Sequence, residues 1–173
     1  MKYLPDIYQK DIFQIDYKNL KERGIKCLLF DLDNTLALAK SDVVSAEVKQ
    51  LIKELKQDFK VIIVSNSPKG RVRKFASLLG VSYCSFSFKP SIRTLLKIKR
   101  KYGVASREIA IIGDQFMTDM IYGFRGKILK ILVDPLSNDE LKVTGINRYF
   151  EKKIIAKYTK AKVFMKGGYY NER

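Results

Sequence analysis

The sequence predicts an α/β fold built around a central parallel β-sheet. Short apolar runs alternate with segments of helical periodicity along the 173 residues, a pattern typical of repeated βα units. The runs are rich in Ile, Val, Leu and Phe, as expected of strands covered by helices on both faces. At this length we expect one domain over residues 1–173, with a basic amphipathic segment from about residue 147.

Each element follows from local patterns. The predicted strands cover residues 26–30, 60–64, 81–84, 109–112 and 127–133. The predicted helices cover residues 45–56, 68–79, 90 to about 103, and 115–124. Ser45 is expected to cap the first helix, while Gly80 and Gly103 are expected to end the second and third.

The C-terminal segment forms a basic amphipathic helix in this interpretation. Its apolar stripe consists of Phe150, Ile154, Tyr158 and Ala161. Because lysines flank the stripe, the helix can either lie on an anionic lipid surface or pack its apolar side on the sheet. Residues 166–173 contain few apolar anchors and are expected to fray.

The overall charge favours an anionic partner. The chain has 34 Lys and Arg against 18 Asp and Glu, a formal net charge of +16, which suits phosphorylated substrates, anionic lipid or nucleic acid. It contains no histidine, so Ser-His-Asp and Cys-His catalysis and the common His-containing zinc sites are excluded.

Cysteine usage and hydropathy indicate a reducing compartment. Cys27 and Cys84 lie in apolar, strand-like surroundings and are expected to be free thiols. No signal-like apolar core occurs in residues 1–10, and no window of about 18 apolar residues occurs elsewhere. We therefore expect a cytoplasmic protein, with peripheral association at the inner face of the membrane as an option.

Polar residues follow the predicted strands at the edge where ligands bind in parallel sheets. They are Asp31, Asp33 and Thr35 after the first strand, Ser65 and Asn66 after the second, Lys89 before the third helix, and Asp114, Gln115 and Asp119 after the fourth strand. Carboxylates crowded in an apolar framework are costly unless a cation joins them. A hard divalent ion with oxygen ligands, Mg²⁺ by availability, is the expected cofactor. It would neutralise phosphate oxygens together with Lys89.

This arrangement resembles the haloacid dehalogenase superfamily of phosphatases, whose four motifs occur here in order. Residues 28–35 match the first motif, hhhDxDxT. The resemblance implies a three-layer Rossmann-like fold and a covalent mechanism. In that mechanism Asp31 is the nucleophile that becomes phosphorylated, while Asp33 protonates the leaving oxygen and then activates water.

The other motifs supply the phosphate and metal sites that the resemblance implies. Ser65 matches the second motif and Lys89 the third, so these residues, with Asn66, are expected to bind phosphate. Asp31, the main-chain carbonyl of Asp33, and Asp114 would bind Mg²⁺. Asp119 would lie in a secondary metal shell.

Two further residues are candidates for substrate binding. Thr35 belongs to the first motif. Gln115 follows the first aspartate of the fourth motif and is either a substrate ligand or simply the start of a helix.

The short intervals between motifs leave no room for an inserted cap domain. The chain resembles the capless subclass IIIA and, within it, the YqeG family, in segments such as Leu4-Pro5-Asp6 and Ser65-Asn66-Ser67. That family is similar to mitochondrial and plastid phosphatases that act on phosphatidylglycerophosphate. The resemblance therefore implies this lipid as the leading substrate, reached through an open site.

Two alternatives remain at the level of sequence. One is a phosphatase acting on nucleotides, nucleic-acid ends or other soluble phosphates, which the absence of aromatic-interleaved RNA motifs disfavours. The other is a non-catalytic phosphate-sensing interaction module, which the intact Asp33 disfavours.

Overall fold

Six parallel strands form the central sheet of the computed structural model, in the order β1-β6-β5-β2-β3-β4. The strands are β1 (Ile7–Gln9), β2 (Cys27–Phe30), β3 (Lys60–Val64), β4 (Ser82–Cys84), β5 (Ile109–Gly113) and β6 (Leu129–Val133). The structure describes residues 3–39, 41–137 and 145–172, except the side chains of residues 145–148 and of Phe150. The predicted α/β fold with a central parallel sheet is confirmed.

Helices cover both faces of this sheet. They are α1 (Tyr17–Glu22), α2 (Ala46–Asp58), α3 (Lys69–Leu79), α4 (Arg93–Tyr102), α5 (Ile121–Gly126) and α6 (Gly145–Lys160). Leu28 and Phe30 pack with α1, α2 and α3, whereas Cys27 and Leu29 pack with α4 and α5. Because successive side chains of a strand point to opposite faces, β2 contributes to both cores and the fold has three layers.

The links between the predicted motifs are short. The described residues between Asp31 and Ser65 contain one helix, α2, and strand β3, and those between Ser65 and Lys89 contain α3 and β4. No cap domain is inserted in this described part of the chain, as predicted.

The predicted helix ends are confirmed where a specific residue fixes them. The Ser45 hydroxyl accepts a hydrogen bond of 3.2 Å from the Val48 backbone N–H, as an N-cap should. Gly80 and Gly103 follow α3 and α4 with φ angles of 62° and 63°, in the left-handed region that glycine adopts at low cost.

Several elements differ from prediction, and three of these differences have a clear physical cause. Strand β1 was not predicted, because three residues carry little periodicity and the assignment depends on pairing with β6. Strand β6 begins at Leu129 and not at Lys127, since Lys127 ends α5 with a φ of 53°. The predicted helix over residues 115–124 is instead a π-helical turn, Phe116–Met120, followed by α5.

The C-terminal helix packs its apolar side on the protein. Tyr158 is buried in a cluster with Tyr8, Phe116 and Phe164, and Ile154 packs against that cluster. The other members of the predicted stripe differ, since Ala161 is exposed and the Phe150 side chain lies outside the described residues. Of the two options for this helix, packing of its apolar side on the protein is therefore the one that Ile154 and Tyr158 follow.

The segment after α6 is held to the sheet. Tyr8 and Tyr170 exchange two backbone hydrogen bonds of 2.9 and 2.8 Å, and the Tyr169 hydroxyl donates to Asp134 at 2.7 Å. The prediction that residues 166–173 fray is therefore wrong for the described residues to 172, because β1 offers an unpaired edge that the sequence did not reveal.

Both cysteines are free, with Cys27 buried and Cys84 partly buried, close to expectation.

Candidate active site

A buried lysine joins two carboxylates at the carboxyl edge of the sheet. Lys89 Nζ lies 2.7 Å from Asp31 Oδ1 and 2.6 Å from Asp119 Oδ1. The Lys89 and Asp119 side chains are each only 1% exposed. Asp31, Lys89 and Asp119 are called the inner cluster below. Buried charges of this kind are tolerated only when they are paired and hydrogen-bonded.

Two local structures place the carboxylates. Asp31 follows β2 directly, and its backbone N–H donates to the Ile112 carbonyl of β5 at 2.9 Å. Asp119 lies in the π-helical turn after β5, where its Oδ2 accepts from the Gln115 backbone N–H at 3.2 Å. A Cβ on Gly113 would lie 2.3 Å from the Asp119 carboxylate, so only glycine leaves room for this side chain.

The inner cluster lies beside a further carboxylate, that of Asp114. One carboxylate oxygen from each of Asp31, Asp114 and Asp119 lies within 4.8 Å of the others. Hard divalent cations such as Mg²⁺ prefer oxygen donors of this type. The residues present therefore fit a divalent metal. Asp31 and Asp114 were predicted as its ligands and Asp119 as part of a secondary shell, and metal binding by these residues stays a prediction.

Burial and charge act on Asp31 and Lys89 in different ways. Burial raises the pKa of Asp31, Lys89 opposes that shift, and Asp119 adds to it, so that the pKa lies above the usual range of an aspartate. Burial alone would lower the pKa of Lys89, but contact with Asp119 and Asp31 raises it above its ordinary value. Lys89 is therefore the fixed positive charge of the cluster.

Asp33 faces a different environment from Asp31. Its carboxylate accepts hydrogen bonds from the Ser67 hydroxyl and from Arg71 Nε at 2.9 Å, with Arg71 Nη2 at 2.7 Å. Both ion-pair partners keep some exposure, 17% for the Asp33 side chain and 18% for that of Arg71. Asp33 and Arg71 are called the outer pair below.

Arg71 and Ser67 were not predicted as site residues. Arg71 also donates to the Leu38 and Ser41 carbonyls at 3.0 and 2.7 Å, so it fastens α3 to the loop that follows Asp33. The sequence does contain an indication of this role. An arginine in the first turn of a helix is unfavourable beside the positive end of the helix dipole, so its presence there indicates a nearby anion.

The predicted phosphate residues occupy one neighbourhood but make different contacts. Ser65 is buried, and its hydroxyl accepts from the Ser67 backbone N–H at 3.1 Å. Asn66 holds the loop before α4: its Oδ1 accepts from Lys89 N at 2.7 Å and from the Ser87 hydroxyl at 2.8 Å, while Nδ2 donates to the Lys89 carbonyl. Asn66 therefore positions Lys89, and phosphate contact by Ser65, Asn66 and Lys89 stays a prediction.

The two candidate substrate residues also lie at this edge. Thr35 is buried, and its hydroxyl has no hydrogen-bond partner within the described part of the chain. Gln115 begins the π-helical turn, where its carbonyl accepts from the backbone N–H groups of Asp119 and Met120. The helix-start interpretation of Gln115 thus agrees with the structure, whereas substrate contact by either residue stays a prediction.

A cavity of about 280 Å³ adjoins Asp114 beneath α6. Phe116, Leu132 and Ile155 give it apolar walls, and Lys152 and Lys166 also line it. The buried Glu151 accepts a 2.7 Å hydrogen bond from the Phe116 backbone N–H, which ties α6 to the turn that carries Asp119. This cavity could not be found from sequence, because α6 and the turn after β5 are distant along the chain.

The comparisons with known proteins agree with this geometry. Residues 5–123 match the family model of haloacid dehalogenase-like hydrolases. The "Probable phosphatase YqeG" of Bacillus subtilis (strain 168) is 33% identical over 155 residues, which span 89% of this chain and 90% of that protein. The chain belongs to the haloacid dehalogenase-like hydrolase family.

More distant relatives carry more specific names. "Phosphatidylglycerophosphate phosphatase 1, chloroplastic/mitochondrial" of Arabidopsis thaliana is 29% identical over 79% of this chain, which spans only 42% of that protein. Among solved structures, the cobalt-bound deoxy-D-mannose-octulosonate 8-phosphate phosphatase of Haemophilus influenzae superposes with a TM-score of 0.54 at 16% identity, covering 83% of this chain and 95% of that one. Within its family, the chain is a phosphatase, a hydrolase of phosphoric monoesters.

Proposed function

We propose that this phosphatase is Mg²⁺-dependent, becomes phosphorylated on Asp31 during turnover, and acts on phosphatidylglycerophosphate. The observation that carries the mechanism is the contrast between the two aspartates of the first motif. Asp31 lies 2.7 Å from a buried lysine and beside Asp114 and Asp119, whereas Asp33 lies with Ser67 and Arg71. This contrast supports the assignment of nucleophilic attack to Asp31 and of proton transfer to Asp33.

Asp31, Asp114 and the main-chain carbonyl of Asp33 would hold Mg²⁺, with Asp119 in its secondary shell. When bound, the ion would neutralise charge on the phosphoryl oxygens. Ser65, Asn66 and Lys89 would bind those oxygens from the protein side.

The proposed reaction has two steps. An Asp31 carboxylate oxygen forms a bond to phosphorus as the bond to the ester oxygen breaks, and the leaving oxygen takes a proton from Asp33. Water then attacks the phosphorus of the phosphorylated Asp31 and gives a proton to Asp33 as the bond between phosphorus and the Asp31 oxygen breaks. This step releases inorganic phosphate and restores the Asp31 carboxylate. Splitting one displacement into two in this way is the general advantage of covalent catalysis.

Two observations support the lipid substrate. Phosphatidylglycerophosphate carries a phosphodiester close to its phosphomonoester, and Lys152 and Lys166 line the cavity beside Asp114, where they could bind a second anionic group. The similarity to the phosphatase of Arabidopsis thaliana points to the same substrate class.

No helix of the described residues is long and apolar enough to cross a bilayer.

The test is turnover by the purified chain with Mg²⁺ on phosphatidylglycerophosphate in mixed micelles, beside glycerol 3-phosphate and nucleoside monophosphates. We expect kcat/KM on the lipid to exceed the soluble values by at least about tenfold, and a chelator to abolish turnover. Asp31→Asn, which keeps the size of the side chain, is expected to abolish phosphate release and phosphate labelling of the protein.

Each component of the proposal has its own contrary result. Preferred turnover of a nucleotide or another soluble ester would contradict the lipid assignment and leave the mechanism standing. Full activity of Asp31→Asn would contradict the phosphorylated intermediate. Equal turnover in the presence of a chelator would contradict the need for a metal.

A further inference from the structure

Two phenylalanines project into solvent beside the active-site lysine. Phe86 and Phe88 are 50% and 72% exposed, and their rings stack with centroids 6.5 Å apart. They alternate with Ser87 and Lys89, which are both buried. The loop between β4 and α4 thus turns its polar side chains inward and its aromatic side chains outward, the reverse of the usual arrangement.

This reversed arrangement is fixed by the active site itself. Ser87 donates from its backbone to the Ser65 carbonyl at 3.0 Å and from its hydroxyl to Asn66. The Asn66 side chain also holds the Lys89 backbone. Phe86 and Phe88 could not turn inward without removing Ser87 or Lys89 from these contacts.

The backbone at both phenylalanines is unfavourable for aromatic residues. Their φ angles are 44° and 51°, in the left-handed region that bulky side chains rarely adopt. Asparagine or glycine would satisfy the same backbone at lower cost and without exposing apolar area. Strain and exposure together indicate a binding surface on this loop.

Basic residues begin two helices at the edge of the sheet that carries the two phenylalanines. Lys69 and Arg93, both exposed, are the first residues of α3 and α4, and they begin at the same edge of the sheet. Neither helix has an acidic residue in its first turn, although the helix dipole favours one there. Arg125, also exposed, donates to the Pro90 carbonyl at 3.1 Å, next to Lys89.

We propose that Phe86 and Phe88 form a membrane-contact surface that inserts between the headgroups of an anionic bilayer. Aromatic side chains suit the membrane interface, and the basic residues around them suit its negative charge. The surface would place the rim of the inner cluster at the level of the lipid headgroups. This proposal rests on the proposed function, because a membrane-contact surface serves a lipid substrate. Vesicle binding can nevertheless be measured without any substrate being hydrolysed.

This surface is distinct from the C-terminal helix. Ile154 and Tyr158 of α6 pack in the cluster with Tyr8, Phe116 and Phe164, so these apolar side chains are not free to enter a membrane. Phe86 and Phe88, in contrast, are apolar groups at the site edge that stay at least half exposed.

The absence of tryptophan from the chain permits a direct test with single-tryptophan variants. Phe88→Trp would report on the loop, and Leu78→Trp would be the matched control, because Leu78 is 49% exposed near the end of α3 and hence at the opposite edge of the sheet. Vesicles of equimolar phosphatidylglycerol and phosphatidylcholine would be compared with pure phosphatidylcholine. On the anionic vesicles only, we expect the tryptophan emission of Phe88→Trp to shift to shorter wavelength and to be quenched by brominated lipid. The emission of Leu78→Trp should not change.

A double variant measures how much the two rings contribute. Phe86→Ser with Phe88→Ser is expected to weaken binding to the anionic vesicles by about tenfold or more. Circular dichroism would verify the fold, and Mg²⁺-dependent hydrolysis of p-nitrophenyl phosphate is expected to stay within about twofold of the parent.

Several results would overturn the membrane surface. They are absence of binding by the parent chain, unchanged binding by the double variant, and loss of binding in a Lys152→Ser, Lys153→Ser, Lys157→Ser variant that leaves the phenylalanines in place. A parent dimer that the double variant converts to a monomer would instead make the surface an interface between two copies. If vesicle binding is lost as expected but phosphatidylglycerophosphate is not hydrolysed, the surface stands and the substrate assignment fails.

Discussion

The inner cluster and the outer pair start two residues apart in the sequence and end in opposite environments. Asp31 is buried with Lys89 and Asp119, and these charges have little contact with water. Asp33 and Arg71 stay partly exposed. Asp33 accepts a hydrogen bond from a hydroxyl group, and Arg71 donates to two backbone carbonyls of a neighbouring loop. This difference in exposure agrees with the proposed roles, in which Asp31 attacks phosphorus and Asp33 exchanges protons with the leaving group and with water. Substitutions in the two regions should therefore have different effects.

The largest expected effect comes from Lys89→Met, which removes the only cation of the inner cluster. Asp31 and Asp119 would remain buried without a positive partner, so we expect a loss of about 3–5 kcal/mol in the free energy of unfolding near neutral pH, together with loss of activity. Urea unfolding followed by circular dichroism would measure it. Added Mg²⁺ should restore part of the stability, because it would replace the missing charge.

The matched control for this substitution is Lys97→Met. Lys97 is an exposed lysine of α4, and its replacement should change stability by no more than about 0.5 kcal/mol. Equal effects of the two substitutions would mean that the inner cluster is not a coupled buried network.

In the outer pair, Asp33→Asn should affect catalysis and leave stability largely unchanged. We expect kcat to fall by about 10²- to 10⁴-fold, the usual contribution of general acid–base catalysis, and the phosphorylated protein to accumulate. Rapid-quench measurement of labelled protein would detect that accumulation. If kcat stays normal, Asp33 does not transfer the proton.

A smaller loss is expected from Arg71→Ala, because Arg71 positions Asp33 and has no role in bond making. Misplacement of Asp33 should lower kcat by about ten- to a hundredfold with little change in Mg²⁺ affinity. Arg71→Lys should recover only part of the loss, since lysine cannot reproduce the forked contact with a carboxylate and two carbonyls. A change in Mg²⁺ affinity as large as the change in kcat would mean that the two regions are not separate. Arg73→Ala, at an exposed position of α3, is the control.

The smallest predicted effect is a pH dependence of Mg²⁺ binding. The raised pKa of Asp31 means that protonated Asp31 is favoured in the fold, so its contribution to apoprotein stability is present at low pH and is lost as pH rises through that pKa. Mg²⁺ requires the ionised form, and its affinity should fall by up to about tenfold for each pH unit below the pKa.

Thermal unfolding with and without Mg²⁺ should therefore show greater stabilisation at about pH 8 than at about pH 6. Asp31→Asn should remove that dependence. A constant Mg²⁺ effect across this range would contradict the coupling between Asp31 and the metal.

The sequence by itself determined the α/β class, five of the six strands, the caps at Ser45, Gly80 and Gly103, and the set of carboxylates that meets at the sheet edge. These features follow from short-range periodicity, from cap chemistry, and from the rule that parallel strands bring their carboxyl ends to one edge. None of them depends on the exact position of a distant side chain.

Only the tertiary structure decided the partners of individual side chains. Arg71 meets Asp33, Asn66 holds Lys89, and Tyr170 pairs with the edge strand β1, and each of these contacts joins residues far apart in the chain. Local propensity cannot predict such contacts, because they exist only after packing brings the elements together. The outward position of Phe86 and Phe88 has the same origin, since it results from the inward contacts of Ser87 and Lys89.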